Sequence, residues 1–161
     1  MLPVRSWGAS ALVALTFFVA TAARSDNRSL YLFGGPDRNV FLGCLSCSHS
    51  ETFSVWNPNG EYGSTTHPDS IWNRDGRYGA PTSLLSPWNP WASTPPIVVD
   101  RAGNSYGQFT RNRELPNHIP RPETLGPESS PVQRDNLKLL NWILDEYDGI
   151  VEHLDEVRTD F

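Results

Sequence analysis

Little in this chain of 161 residues is equipped to do chemistry. It holds four histidines and two cysteines. No histidine stands beside a candidate nucleophile in a recognisable motif, and no pair of carboxylates or set of metal ligands falls at a catalytic spacing. The scarcity argues against an enzyme: no residue is named as catalytic, no metal site is assigned and no cofactor is implied. Excess positive charge is missing as well. Residues 24–134 carry ten basic and ten acidic side chains, and residues 135–161 carry eight acids against Lys138 and Arg158. A neutral body with an acidic tail offers nothing to a polyanion, so nucleic acid and anionic lipid are not expected partners. Long apolar runs are absent after the first, Trp7 to Thr21. Arg5 precedes that run and Ala20-Thr21-Ala22 closes it before the polar Arg24 to Arg28, the outline of a signal peptide over residues 1–22 rather than of a spanning helix. The remaining chain is expected to be secreted or periplasmic, with no membrane span after signal cleavage.

What the sequence does have is a phrase written three times at sixteen-residue intervals: SVWNPNGEYGS from Ser54, SIWNRDGRYGA from Ser70, and the shortened SPWNPWAS from Ser86. Asn57-Pro58-Asn59-Gly60 reads as a type I turn, with Asn capping, Pro at the second position and a left-handed glycine at the fourth. Asn73-Arg74-Asp75-Gly76 and Asp100-Arg101-Ala102-Gly103 repeat it. Such turns predict three-residue hairpin loops in which Trp56 faces Tyr62 and Trp72 faces Tyr78. The third copy lacks the glycine and tyrosine and reads as a terminal unit. Strands this short do not stand alone, so the units are expected to stack as a meander or short solenoid. The aromatic rings then form a core, or some remain exposed as stacking platforms for a glycan or peptide. The candidate ligand-binding residues are Trp56, Asn57, Tyr62, Trp72, Asn73, Tyr78, Trp88 and Asn89.

Two further hairpins frame the repeats. Leu30 to Phe33 reads as a strand that turns at Gly34-Gly35-Pro36-Asp37 and returns through Asn39 to Gly43. Pro95 to Thr110 reads as a second hairpin, with Val98 facing Tyr106 and Ile97 facing Gly107. Between the first hairpin and the repeats lie Cys44 and Cys47. In an oxidising compartment the pair closes a small disulfide ring. A redox centre, which wants the first cysteine at a helix N-terminus, and a metal site using Cys44, Cys47, His49 and His67 are the competing readings. A lipidated Cys44 fails on position.

Residues 111–130 carry Pro116, Pro120, Pro122 and Pro127 among polar residues and read as an extended linker. Ser130-Pro131-Val132-Gln133 is a helix start, and Leu137, Leu140, Leu144, Tyr147, Val151 and Leu154 recur at helical spacing. An amphipathic helix over 131–158 follows, which Gly149 weakens or splits. Its stripe docks on the array, or pairs with another copy or a partner protein. The fold class is thus mainly β: a β-hairpin repeat domain over 23–110, a proline-rich linker and a C-terminal amphipathic α-helix.

Laid end to end, GCLSC, SVWNPNGEYGS, SIWNRDGRYGA, SPWNP and PPIVVDRAGNSYGQFTRN resemble a group of small secreted bacterial proteins. Those proteins carry a GCLxC segment, SIWNxxGxYGS units and a PPxIVDxxGxxYGxxT hairpin. The resemblance covers about Tyr31 to Asn112. It implies bacterial origin and export, and it carries no activity and no catalytic residue across. The function expected from the sequence is an exported noncatalytic protein whose aromatic repeats bind a cell-envelope or extracellular ligand such as a glycan. The alternative is a structural or assembly protein acting through its C-terminal helix, with a CxxC redox protein third.

Overall fold

The computed structural model describes residues 29–159, with side chains through residue 153. The expected signal peptide lies outside the described residues. Two hairpins build one antiparallel sheet. Strands β1 (Leu30–Gly34) and β2 (Val40–Cys44) form the first, and β3 (Ile97–Asp100) and β4 (Ser105–Gln108) the second, in the order β2-β1-β3-β4. The central pair is β1 with β3, which aligns Leu30 with Asp100 and Leu32 with Val98. Alternation along LYLF sends Leu30 and Leu32 into the core beside Leu42 and Val98. Tyr31 and Phe33 take the other face, where both pack against Phe41.

The second hairpin turns where the sequence places it. Gly103 takes φ 86°, its N–H donates to the Asp100 carbonyl, and the Asp100 carboxylate accepts from the N–H groups of Ala102 and Asn104. The register differs from expectation. Val98 lies opposite Gly107 and Ile97 opposite Gln108, because a bulge shifts the pairing before Val99 meets Ser105. Gly107 takes φ 105° there, beside the carbonyl of Asn117.

Between the hairpins, residues 45–96 contain no strand. The repeats are not hairpins, and Trp56 and Trp72 do not face Tyr62 and Tyr78 across a ladder. The expected four-residue turns do form, with Gly60 N–H on Asn57 O and Gly76 N–H on Asn73 O. Neither Gly60 nor Gly76 is left-handed, however. The chain winds on into a second turn, with Ser64 N–H on Gly60 O and Ala80 N–H on Gly76 O. Gly63 and Gly79 allow this winding: a Cβ on either would collide with the carbonyl of Asn57 or Asn73. The result is a stack of turns rather than a meander of strands.

The stack repeats its hydrogen bonds unit by unit. Ser54, Ser70 and Ser86 are fully buried, and each hydroxyl accepts the N–H of the tryptophan two residues on. Asn57, Asn73 and Asn89 donate through Nδ2 to the carbonyls of Glu51, His67 and Ser83. Their Oδ1 atoms accept the N–H groups of Asn59, Asp75 and Trp91. Each indole reaches back one unit: Trp72 Nε1 donates to Val55 O and Trp88 Nε1 to Ile71 O. The tryptophans form a ladder with centroids 5.4 Å apart from Trp56 to Trp72 and 5.3 Å from Trp72 to Trp88. Polar demands of backbone and indoles are met inside the stack, which lets rings this large be buried.

The C-terminal helix docks on that ladder. Ser130 caps it by accepting the Gln133 N–H, and Pro131 takes the first position. The helix divides into α1 (Pro131–Asp145) and α2 (Tyr147–Thr159), so the division falls at Glu146 and not at Gly149. Helical bonding passes through it, from Glu146 N–H to Trp142 O and from Ile150 N–H to Glu146 O. Leu137, Leu140, Ile143, Leu144, Tyr147 and Val151 join the tryptophans in one core. The Tyr147 ring stacks on Trp88 with centroids 4.1 Å apart. Residues 111–130 are not a free tether. Ile119 is fully buried, His118 bridges to Gln108, and Arg113 and Arg121 both reach Asp145.

Candidate functional site

The disulfide ring, the first repeat and the helix meet at one cavity of about 600 Å³. The repeat side supplies Leu45, Ser46, Cys47, His49 and Trp56; the helix supplies Leu139, Trp142, Glu146, Gly149, Ile150 and His153. Leu139, Trp142, Glu146, Gly149 and His153 follow one another at spacings of three and four, with Ile150 beside Gly149, so α1 and α2 present one continuous face across their junction. Gly149 keeps that face open, since a Cβ there would meet nothing within 4 Å.

The opposite wall begins with the cysteines. Cys44 and Cys47 are disulfide-bonded, with Cα atoms 5.5 Å apart. Cys44 is fully buried, and its backbone N–H and carbonyl bond to Phe53 and Val55. No helix starts at either cysteine, so the dipole that activates a redox thiolate is missing here. The ring instead offers the Leu45 carbonyl to Trp56 Nε1, standing in for the preceding unit that the first tryptophan lacks. His49 is oriented by its Nδ1, which donates to the Trp56 carbonyl over 3.0 Å and leaves Nε2 as an acceptor in the neutral ring.

The eight residues singled out in the repeats divide sharply. Trp72 and Trp88 are each 1% exposed and Tyr78 is 0% exposed, so these rings present no face to a ligand. Asn73 and Asn89 are buried and commit both side-chain ends to the backbone. Asn57 does the same half-buried. Tyr62 packs edge-on against Phe41 at 5.0 Å, and its hydroxyl pKa is raised by burial, then by Glu61 and Asp69. Trp56 alone of the eight lines the cavity. Sequence reasoning missed Trp142, Glu146 and His153; the signal it passed over is that Trp142 sits beside the apolar stripe, and it emerges 51% exposed.

A second cluster, Glu61, His67 and Asp69, brings its ligand atoms within 4.8 Å of one another. His67 Nδ1 accepts the Asp69 N–H, so the neutral ring carries its proton on Nε2, which faces Glu61 at 3.7 Å. That neutral tautomer turns its Nε2–H toward the Glu61 carboxylate. A metal would need the same Nε2 lone pair. The competing metal reading of Cys44, Cys47, His49 and His67 loses both thiolates to the disulfide.

No protein-family model matches the chain, and neither do any curated protein or solved structure. Among the described residues, no helix is long and apolar enough to cross a membrane.

Proposed function

We propose that this is an exported, noncatalytic binding protein whose site is the cavity between the first repeat and the α1–α2 face. The ligand is a ring-bearing component of the cell envelope or its surroundings, such as a glycan unit. The observation that carries the reading is the pairing of Trp56, the end of the tryptophan ladder, with the half-exposed Trp142 across a cavity of ligand size. Mostly apolar walls with a few polar groups suit the stacking of a sugar or similar ring. The likeness to small exported bacterial proteins and the disulfide both support a location outside the cytoplasm. Capture of a partner by the C-terminal helix is the weaker reading, because the apolar stripe it would use is already packed into the chain's own core. Soluble peptidoglycan fragments titrated against the full chain, read by tryptophan fluorescence, test the proposal. Trp142→Ala should weaken binding on the order of tenfold with its circular dichroism unchanged. Unaltered affinity in a folded Trp142→Ala protein would remove the cavity from the argument.

A further inference from the structure

The charge of the cavity says more about its ligand than its volume does. Among the described residues, no lysine or arginine lines it, and Glu146 is its one carboxylate. Charge pairs that the helix forms among the described residues use other side chains: Asp145 holds Arg121 and Arg113, Asp148 holds Arg111, and Asp135 holds Lys138. Glu146, by contrast, forms no side-chain bond or ion pair among the described residues, and it is exposed at the helix junction. The tryptophans contribute ring surface. The only polar atom of the Trp56 side chain is already committed to the Leu45 carbonyl, so what remains is its π face and edge. His49, with Nδ1 fixed on the Trp56 carbonyl, turns an acceptor nitrogen to the surroundings in its neutral form. Two indoles, a free carboxylate and the imidazoles of His49 and His153, with no described lysine or arginine among them, form a set of groups that recognises an alkylammonium group.

We propose that the cavity lined by Trp56, Trp142 and Glu146 is a site for an organic cation, a quaternary or primary alkylammonium group carried by the ligand. This rests on the cavity being the binding site, and it narrows the ligand from any ring-bearing compound to one with a positive charge. Trp56 and Trp142 supply the aromatic surface, and Glu146 supplies the counter-charge. Quaternary and primary ammonium groups share this chemistry but differ in whether they can donate a hydrogen bond to His49 Nε2.

The test uses the full chain, with tryptophan fluorescence and calorimetry as readouts. Choline is titrated against its neutral carbon isostere, 3,3-dimethylbutan-1-ol, and butylammonium serves as the primary-amine arm. The expected result is binding of the cations on the order of tenfold tighter than the isostere. Glu146→Gln should erase that preference while leaving isostere binding in place. Glu152→Gln, on an exposed position of α2 outside the cavity, should leave the preference intact and so separate Glu146 from the general acidity of the helix. Tighter binding of butylammonium than of choline points to the His49 contact, and the reverse order points to the rings alone. Equal binding of choline and isostere overturns the cation proposal and leaves the cavity as an apolar site. Binding of peptidoglycan fragments without binding of either cation also overturns it, again sparing the site. Failure of every probe removes the site and the proposal together.

Discussion

If the asparagines are the fasteners of the stack, cutting them should cost stability in proportion to burial. Asn73 is the informative position, 8% exposed and bonded at both ends of its amide. In Asn73→Ala the His67 carbonyl loses one donor but keeps the Ser70 N–H, so that loss is close to one net hydrogen bond, about 1 kcal/mol. The Asp75 N–H loses its acceptor at an exposed turn where water can replace it, for roughly 0.5–1 kcal/mol. The space vacated beside Gly76, where an added Cβ would lie 3.0 Å from Asn73 Nδ2, brings the sum to about 2–3 kcal/mol. Asn57→Ala, at a half-exposed site with the same bonds, should cost about 1 kcal/mol. Asn73→Asp keeps the acceptor but sets a carboxylate against the His67 carbonyl, and at neutral pH it should be at least as damaging as alanine. Urea unfolding of the disulfide-intact proteins, followed by tryptophan fluorescence, gives the three values on one scale. Equal losses at Asn57 and Asn73, or a loss under about 0.5 kcal/mol at Asn73, would refute the view that these side chains hold the turns together.

Gly149→Ala should stabilise α2 by about 1 kcal/mol, because helical glycine is disfavoured by that amount and the new methyl meets nothing within 4 Å; amide hydrogen exchange of α2 measures it, and unchanged protection would count against it. Gly149→Leu should instead fill the cavity and abolish binding of peptidoglycan fragments without unfolding the protein. The pKa of Tyr62 is raised, first by burial and then by Glu61 and Asp69, so its neutral form is favoured in the folded state. Stability from this group is therefore full below the unfolded tyrosine value of about 10 and declines as pH rises through the higher folded value. Tyr62→Phe should flatten the alkaline arm of a stability-against-pH curve, and an arm of unchanged slope would show that Tyr62 is not its source.

Local chemistry was readable where it alone decides the outcome. Gly35 and Asp100-Arg101-Ala102-Gly103 turn the two framing hairpins as their residue types require. Ser130-Pro131 starts the helix, and Leu137, Leu140 and Leu144 face the core. The repeats share their four-residue turn chemistry with Asp100 to Gly103 but not its result. The difference lies in Gly63 and Gly79, which admit a second turn against the asparagine carbonyl. The role of the serine in the SxWN phrase was also hidden. It is a hydroxyl cap for the tryptophan N–H, and only the repeated spacing hints at it. The cavity was the least legible feature. Its walls come from residues 45–56 and 139–153, and no periodicity within either stretch says that they meet. That meeting depends on Tyr147 reaching Trp88, a contact of tertiary packing.

The central pairing of β1 with β3 joins Leu30 to Asp100, with the whole tryptophan stack strung between them. An unfolded chain bears the loop-closure entropy of that contact before anything offsets it. Winding the turns first shortens the effective loop, because each unit folds on hydrogen bonds of short sequence range and carries the two strands toward each other. In kinetic terms the stack is a folding template and the sheet is its clasp. A defect in the turns should therefore slow folding, whereas a defect in the β1–β3 contact should chiefly hasten unfolding.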